Sequence, residues 1–251
     1  LQSSFNAFVG HPTWRAELAH LDHEALMERL SDPNMKAQIL SETSSIQGGL
    51  MQDLPSLMGQ VFPLGENPNY EPLPEDSIAG IARARGADVM EVMYDMLIAN
   101  DGKELFYQPL GGYQGFSLDY QKKLLEHPNV LFGLSDGGAH CGVIADAGMP
   151  TFIMTHWGRD RTRGDQLSLE FIVQSLTSST AHAYGMFDRG QLTEGKIADI
   201  NIIDFAQLRL HRPEAVFDLP AGGRRLVQRA EGYEVTIKAG EVIFKNGEHS
   251  G

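Results

Sequence analysis

The chain has 251 residues, of which 42% are apolar and 21% charged, a globular composition that is neither disordered nor fibrous. Asp and Glu number 33 against 20 Lys and Arg, a formal net charge of −13, which argues against a nucleic-acid backbone or an anionic membrane surface as the main partner. A single cysteine, Cys141, excludes an intrachain disulfide framework and any multi-cysteine zinc or iron–sulfur site, and it fits a reducing, cytoplasmic setting. Apolar runs fall short of the roughly 20 residues a spanning helix needs, and the start lacks the basic and apolar regions of a signal peptide. The first residue is Leu1 rather than Met. The text enters as if from the interior of a longer protein, so an upstream half on the same or another chain is expected.

In chain order, helical spacing of Leu18, Leu21, Ala25, Leu26 and Leu30 predicts a helix over 14–30. Asp32-Pro33 stops it, and Pro33 opens a second helix to about Leu40. A loop over 41–56 precedes a short strand from Leu57 to Leu64. Pro63, Pro68, Pro72 and Pro74 then mark a long surface loop. Helices resume from Pro74 to Arg85 and from Asp88, where Asp88 and Glu91 are spaced as a capping box. Met90, Met93 and Met96 on that helix read as core packing.

A short strand over 104–108 leads to the glycine loop Gly111-Gly112-Tyr113-Gln114-Gly115, which has no Lys and no following Ser or Thr and so is not a phosphate loop. Ser117 caps a helix from Leu118 to Glu126, and His127-Pro128-Asn129 turns out of it. Val130 to Leu134 is a near-continuous apolar run, expected as a strand buried on both faces of a parallel sheet. Helix and strand thus alternate as in α/β folds. A helix is predicted from Asp165 to about Tyr184. After Phe187 the texture changes to strands: Ile197 to Asp204, then Tyr233–Lys238 and Glu241–Phe244 around the turn Ala239-Gly240. The expected division is therefore 1–187 and 188–251.

The sharpest chemical spot is Gly133-Leu134-Ser135-Asp136-Gly137-Gly138-Ala139-His140. An acidic residue at the carboxyl end of a strand stands where parallel α/β folds build their sites. Such an aspartate can ligate a metal and take a proton from water. It can equally cap an Asp-Gly turn, and the local sequence leaves both readings open. His20 and His23 are spaced to share a helix face, which reads as a solvated face before a metal site. His127 and His182 read as structural, and Cys141 beside His140 is not oriented as a thiol–base pair. The segment from Thr155 to Gly164 gathers Arg159, Arg161 and Arg163. It reads either as an anion-binding lip for a substrate carboxylate or as surface pairing with Asp160 and Asp165.

The segments GLSDGGAH, THWGRDRTRG, SLTSSTAHAYGMFDRGQLTEGKIADINIID and TIKAGEVIFKNGE together resemble the amidohydrolase superfamily, in its N-acyl-D-amino-acid deacylase branch. The resemblance covers nearly the whole chain, but only the carboxyl-terminal half of such an enzyme. It implies an α/β fold: the carboxyl-terminal part of a (β/α)8 TIM barrel over 1–187, then strands of a small β-sandwich over 188–251. It implies a hydrolase of carbon–nitrogen bonds other than peptide bonds, acting on an N-acyl amino acid or a related small-molecule amide. It places Asp136 at a divalent metal, expected as zinc, and as the shuttle that takes a proton from metal-activated water and returns it to the leaving nitrogen. Tyr113, His140, His156 and Arg159 are expected to line the substrate pocket.

Two departures stand out. The H-x-H pair and later metal histidines of that family are not on this chain, so most metal ligands are expected on an amino-terminal half or second chain, and an oligomer is expected. The family's His-Pro-Arg is replaced by Met149-Pro150-Thr151, which leaves Arg159 or Arg161 to meet a substrate carboxylate. Cyclic amides, as in dihydroorotase- or hydantoinase-like members, are the alternative substrates. A non-catalytic scaffold fragment is the alternative of another class.

Overall fold

The computed structural model describes residues 1, 6–46, 57–109, 111–133 and 137–251. The chain divides into two compact units, Leu1–Phe116 and Ser117–Gly251. The helices over 119–183 and the strands after residue 187 both fall in the second unit. Among the described residues no helix is long and apolar enough to cross a membrane.

The first unit is mainly helical. The helix expected over 14–30 is split into a π-helical turn, Trp14–Leu18, and α1, His23–Leu30. The split has a local cause: the Asp22 side chain accepts from Ala25 N at 3.0 Å, so a new helix starts there. His20 therefore lies outside α1, and the expected shared helix face with His23 is not formed. Helix α2, Pro33–Ser41, starts as predicted, with Asp32 capping Asn34 N at 2.8 Å and proline at the first position. The helix predicted from Pro74 is first a 3-10 turn, Pro74–Asp76, and then α3, Ile78–Arg85, capped by the Ser77 hydroxyl. Gly80 is required there, because a Cβ would stand 2.5 Å from the carbonyl oxygens of Pro74 and Glu75.

Helix α4, Val89–Gly102, is capped by Asp88, whose side chain accepts from Met90 N and Glu91 N. The Glu91 carboxylate pairs across to Lys36 of α2 at 3.1 Å, and Asp95 joins it at 2.6 Å. Met93 is buried, and Met90 and Met96 pack against the same core. That core gathers Phe8, Trp14, Leu30, Ile39, Met58, Ile78, Tyr94 and Leu97. Fully burying a side chain such as Ile39 stabilises by about 1.5–3 kcal/mol. The strands expected over 57–64 and 104–108 shrink to β1, Phe62–Pro63, and β2, Phe106–Tyr107, one antiparallel pair.

In the second unit, α5, Asp119–Leu125, follows Ser117, whose hydroxyl accepts from Asp119 N at 3.1 Å. The buried strand expected over Val130–Leu134 is not formed over 130–133; Leu134 lies outside the described residues. Val130 and Leu131 are 37% and 45% exposed, while Phe132 turns inward onto Phe171. An apolar run becomes a strand only when a neighbour completes its ladder of hydrogen bonds. Every pairing among the described strands is antiparallel.

A helix that the sequence reading leaves as a lip begins at α6, Met149–Phe152, and continues as π-helix over Ile153–Asp160. The next helix starts later than expected, at Ser168, whose hydroxyl accepts from Phe171 N. It runs as α7, Leu169–Gln174, a π segment over Ser175–Ser179, and α8, Thr180–Ala183. Phe132, Ile153, Met154, Trp157, Leu167, Ile172 and Leu208 form the core of this unit.

The strands follow as β3, Ile200–Ile203; β4, Arg209–Leu210; β5, Glu214–Leu219; β6, Gly223–Val227; β7, Ala230–Glu231; β8, Tyr233–Lys238; β9, Glu241–Lys245; and β10, Glu248–His249. Their pairing is nested: β5 with β6, β4 with β7, β3 with β8. The hairpin predicted around Ala239-Gly240 is β8–β9, and β10 completes a four-stranded sheet. Helices and strands are thus both present, and the sheets are small.

Candidate functional site

Asp136, expected as the catalytic and metal-binding carboxylate, lies outside the described residues. The loop after it is described. Gly138 has φ 98° and His140 φ 45°, two left-handed residues that fold the backbone back on itself. The His140 carbonyl accepts from Val143 N at 2.8 Å and Ile144 N at 3.0 Å. A Cβ on Gly137 would stand 3.1 Å from Ala147, so this glycine admits a close approach of the chain to itself. The His140 side chain is exposed at this turn.

Strand β6 is tied to the same loop. Leu226 N donates to the Cys141 carbonyl at 2.6 Å. Arg224, two residues earlier, brings Nη2 to 3.5 Å from where a Cβ on Gly142 would stand. Arg225 faces Asp218 of β5 instead, in a two-pronged pair at 2.8 and 2.7 Å. Nothing in the sequence reading singles out Arg224; the available signal is the Arg224-Arg225 pair in an acidic chain.

Arg159 is paired with Asp160, the second of the two arrangements open to it in the sequence. Nε and Nη2 donate to the two carboxylate oxygens of Asp160 at 2.6 and 2.8 Å. Nη1 donates to the carbonyls of Phe205 and Ala206, and Nη2 also to that of Leu208. All five N–H donors of a guanidinium are thereby engaged within the chain. The hydrogen bond to Asp160 holds the Arg159 pKa above its ordinary value. A substrate carboxylate would have to displace these bonds.

Arg161, the other arginine expected to serve, has a fully buried side chain. It donates to Asp119 Oδ1 at 2.7 Å and to the Asp165 carbonyl at 2.8 Å, with its guanidinium 4.7 Å from the Trp157 ring centroid. The hydrogen bond from Arg161 holds the Asp119 carboxyl below the usual carboxylate range. His156 sits in an aromatic stack: parallel to Phe152 at 4.8 Å and edge-on to Trp157 at 5.4 Å.

Tyr113 belongs to the first unit, whereas His140, His156 and Arg159 belong to the second. The Tyr113 hydroxyl donates to the Pro72 carbonyl. Its ring meets Phe62 and Phe116 edge-on, so it orders the loop after α4. His23 faces Asp101 at 3.3 Å. Among the described residues no group of three or more His, Cys, Asp or Glu side chains is placed to hold a metal ion. The described residues therefore do not by themselves fit the metal that the resemblance implies, since a catalytic zinc takes about three protein ligands.

The model of the amidohydrolase family matches residues 67–244, more than half of the chain. Among solved structures, a crystal structure of D-aminoacylase described as defining a novel subset of amidohydrolases is 20% identical, with 78% of this chain and 36% of that chain covered and a TM-score of 0.41. A D-aminoacylase structure from work on the role of its binuclear metal centre is also 20% identical, with 94% and 46% covered and a TM-score of 0.42. A D-aminoacylase mutant in complex with copper chloride gives the same figures. The chain spans less than half the length of these structures. A search of curated proteins finds no match. On the family match across 67–244, this chain belongs to the amidohydrolase family.

Proposed function

We propose that the protein carrying this chain hydrolyses a carbon–nitrogen bond other than a peptide bond, with an N-acyl amino acid as substrate. The single observation that supports this most is the family match across residues 67–244, a stretch that contains Asp136 and the glycine loop after it. The similar structures are D-aminoacylases, one of them described by its binuclear metal centre, which favours an N-acyl amino acid and a divalent metal, read here as zinc.

On this chain the proton is assigned to Asp136. Its carboxylate takes a proton from the attacking water and delivers it to the leaving nitrogen, so that an amine rather than an unstable amide anion departs. The described residues hold no three-ligand metal group, and no step is assigned to the metal. On this reading its further ligands would come from an amino-terminal half or a second chain, which would supply the rest of the barrel whose carboxyl-terminal part is read over 1–187.

The test is hydrolysis by the full-length protein, with and without added zinc, of N-acetyl amino acids and of cyclic amides such as hydantoins. The expected result is metal-dependent release of the free amino acid, with Asp136→Asn lowering kcat by at least about a hundredfold, as loss of a general acid–base does. Hydrolysis of cyclic amides alone would replace the substrate. An active Asp136→Asn protein would remove the assigned role.

A further inference from the structure

We propose that β6 is the positioning strand of the loop over 137–148, and that the Leu226 N–H is the group through which it fixes the loop that leads out of Asp136. The assignment rests on the hydrolase reading of Asp136 and adds to it the residue that holds the loop in one conformation.

The loop has little order of its own to offer. Four of its twelve residues are glycines and three are alanines. It forms no strand, and no helix before the short 3-10 turn Asp146–Gly148. Glycine gives the backbone the most freedom to lose on ordering. His140 lies at φ 45°, a conformation that costs a non-glycine residue energy and persists only where its surroundings hold it. At its base the loop closes on itself, Gly137 against Ala147. Two further ties come from the strands. At the tip, beside His140, Leu226 N donates to the Cys141 carbonyl at 2.6 Å. At the exit, a Cβ on Gly148 would stand 2.6 Å from Leu210 Cδ1 and 3.0 Å from Gln228 Oε1, so the loop is pressed onto β4 and the Gln228 carboxamide. Gln228 Nε2 in turn donates to the His211 carbonyl at 2.8 Å.

Strand β6 is suited to this part. It pairs with β5 along one edge, in a two-stranded sheet. The Leu226 N–H serves the other edge, where the loop takes the place of a third strand. Asp136 is joined to Gly137 by one peptide bond, which sets their Cα atoms about 3.8 Å apart. A loop that shifts therefore carries the carboxylate with it, and a displacement of about 1 Å can slow a reaction about a hundredfold. Leu226 is a positioning residue, acting on the reaction only through the loop.

The experiment uses the full-length protein, with an N-acetyl amino acid as substrate and hydrogen exchange read on the peptide over 137–148. Leu226→Pro removes the donor at an outward strand edge, where proline is tolerated. It is expected to lower kcat at least about tenfold with KM within about twofold, and to speed exchange at Val143 and Ile144. Leu226→Ala, which keeps the N–H, is expected to restore both. In an Asp136→Asn background Leu226→Pro is expected to cost nothing further, because the two act through one carboxylate. A wild-type kcat in folded Leu226→Pro, an equal loss in Leu226→Ala, or an undiminished further loss in the Asp136→Asn background each overturns the role. If Leu226→Pro does not fold, Gln228→Ala loosens the same loop at its exit: a lower kcat with faster exchange supports the positioning by the strands, and an unchanged kcat overturns it. If wild type hydrolyses no amide, the hydrolase reading fails by itself and exchange decides. Faster exchange over 137–148 in Leu226→Pro then supports β6 as the strand that fixes the loop, and unchanged exchange overturns it.

Discussion

The guanidinium carbon of Arg161, the residue that ends the π-helix, sits 4.7 Å from the ring centroid of Trp157, which that helix carries into the core of the second unit. The charge is not left alone there, because Asp119 of α5 accepts from Nη2 at 2.7 Å. Arg161 therefore joins α5 to the end of the π-helix.

Arg161→Met keeps an apolar stem over Trp157 but removes the charge-assisted bonds, so a loss of about 2–4 kcal/mol in unfolding free energy is expected. Urea unfolding followed by tryptophan fluorescence reads it. A loss below the error of the fit would mean that Arg161 only fills space.

Arg159→Met is expected to cost about 1–3 kcal/mol, because the carbonyls of Phe205, Ala206 and Leu208 lose a shared donor. Amide exchange of residues 204–208 should accelerate in the variant, and affinity for an N-acetyl amino acid should stay unchanged. Weaker affinity with unchanged exchange would restore the lip reading.

Tyr94 is buried and its hydroxyl donates to the Leu30 carbonyl at 2.9 Å. Tyr94→Phe leaves that carbonyl short of a donor, for an expected loss of about 1–2 kcal/mol. Burial pushes the Tyr94 pKa up to about 12. In an ultraviolet titration of folded protein Tyr94 should therefore ionise late, and the late absorbance change should shrink in Tyr94→Phe.

Asp199 accepts from Lys238 Nζ at 2.7 Å, from Ala239 N at 2.9 Å and from Arg189 Nη1 at 3.0 Å. The Lys238 bond first, then the Ala239 bond, hold its carboxyl below the ordinary 3.8. A folded-state pKa below the unfolded one adds stability that is full above the unfolded value and lost as pH falls through the folded one. Asp199→Asn should thus be less stable than wild type at pH 7, and the gap should narrow at a pH well below the ordinary 3.8. Thermal midpoints at both pH values check this. A gap that stays constant with pH would assign the difference to packing instead.

Where a signal is local, it was legible. Asp32 and Asp88 open helices where the sequence places them, through hydrogen bonds to neighbours two or three residues on, whereas the equally local caps Asp22, Ser77 and Ser168 start helices later than the apolar spacing alone implies. The Ala239-Gly240 turn was legible for the same reason, since it needs two left-handed residues. Val130 and Leu131 do not form the expected strand, because the fate of an apolar run depends on partners far away in sequence. The helix over 149–160 is masked in the sequence by its charge, while Ile153, Met154 and Trp157 set the buried face. At the candidate site, residue types pointed to the loop after Asp136, but which arginine approaches it was fixed by β6, some 80 residues on.

The nesting of β5–β6 inside β4–β7 inside β3–β8 bears on how this part of the chain finds its structure. Pro220–Gly222 forms the tip of one long, interrupted hairpin. Once the inner pair has formed, each outer pair has only a short span left to close, so the entropy lost at each closure is small. Ile200 and Ile237 lie 37 residues apart yet meet at the end of a zipper rather than by a long-range search. A change at the tip should therefore slow the joining of β3 to β8, although the tip pairs with neither strand.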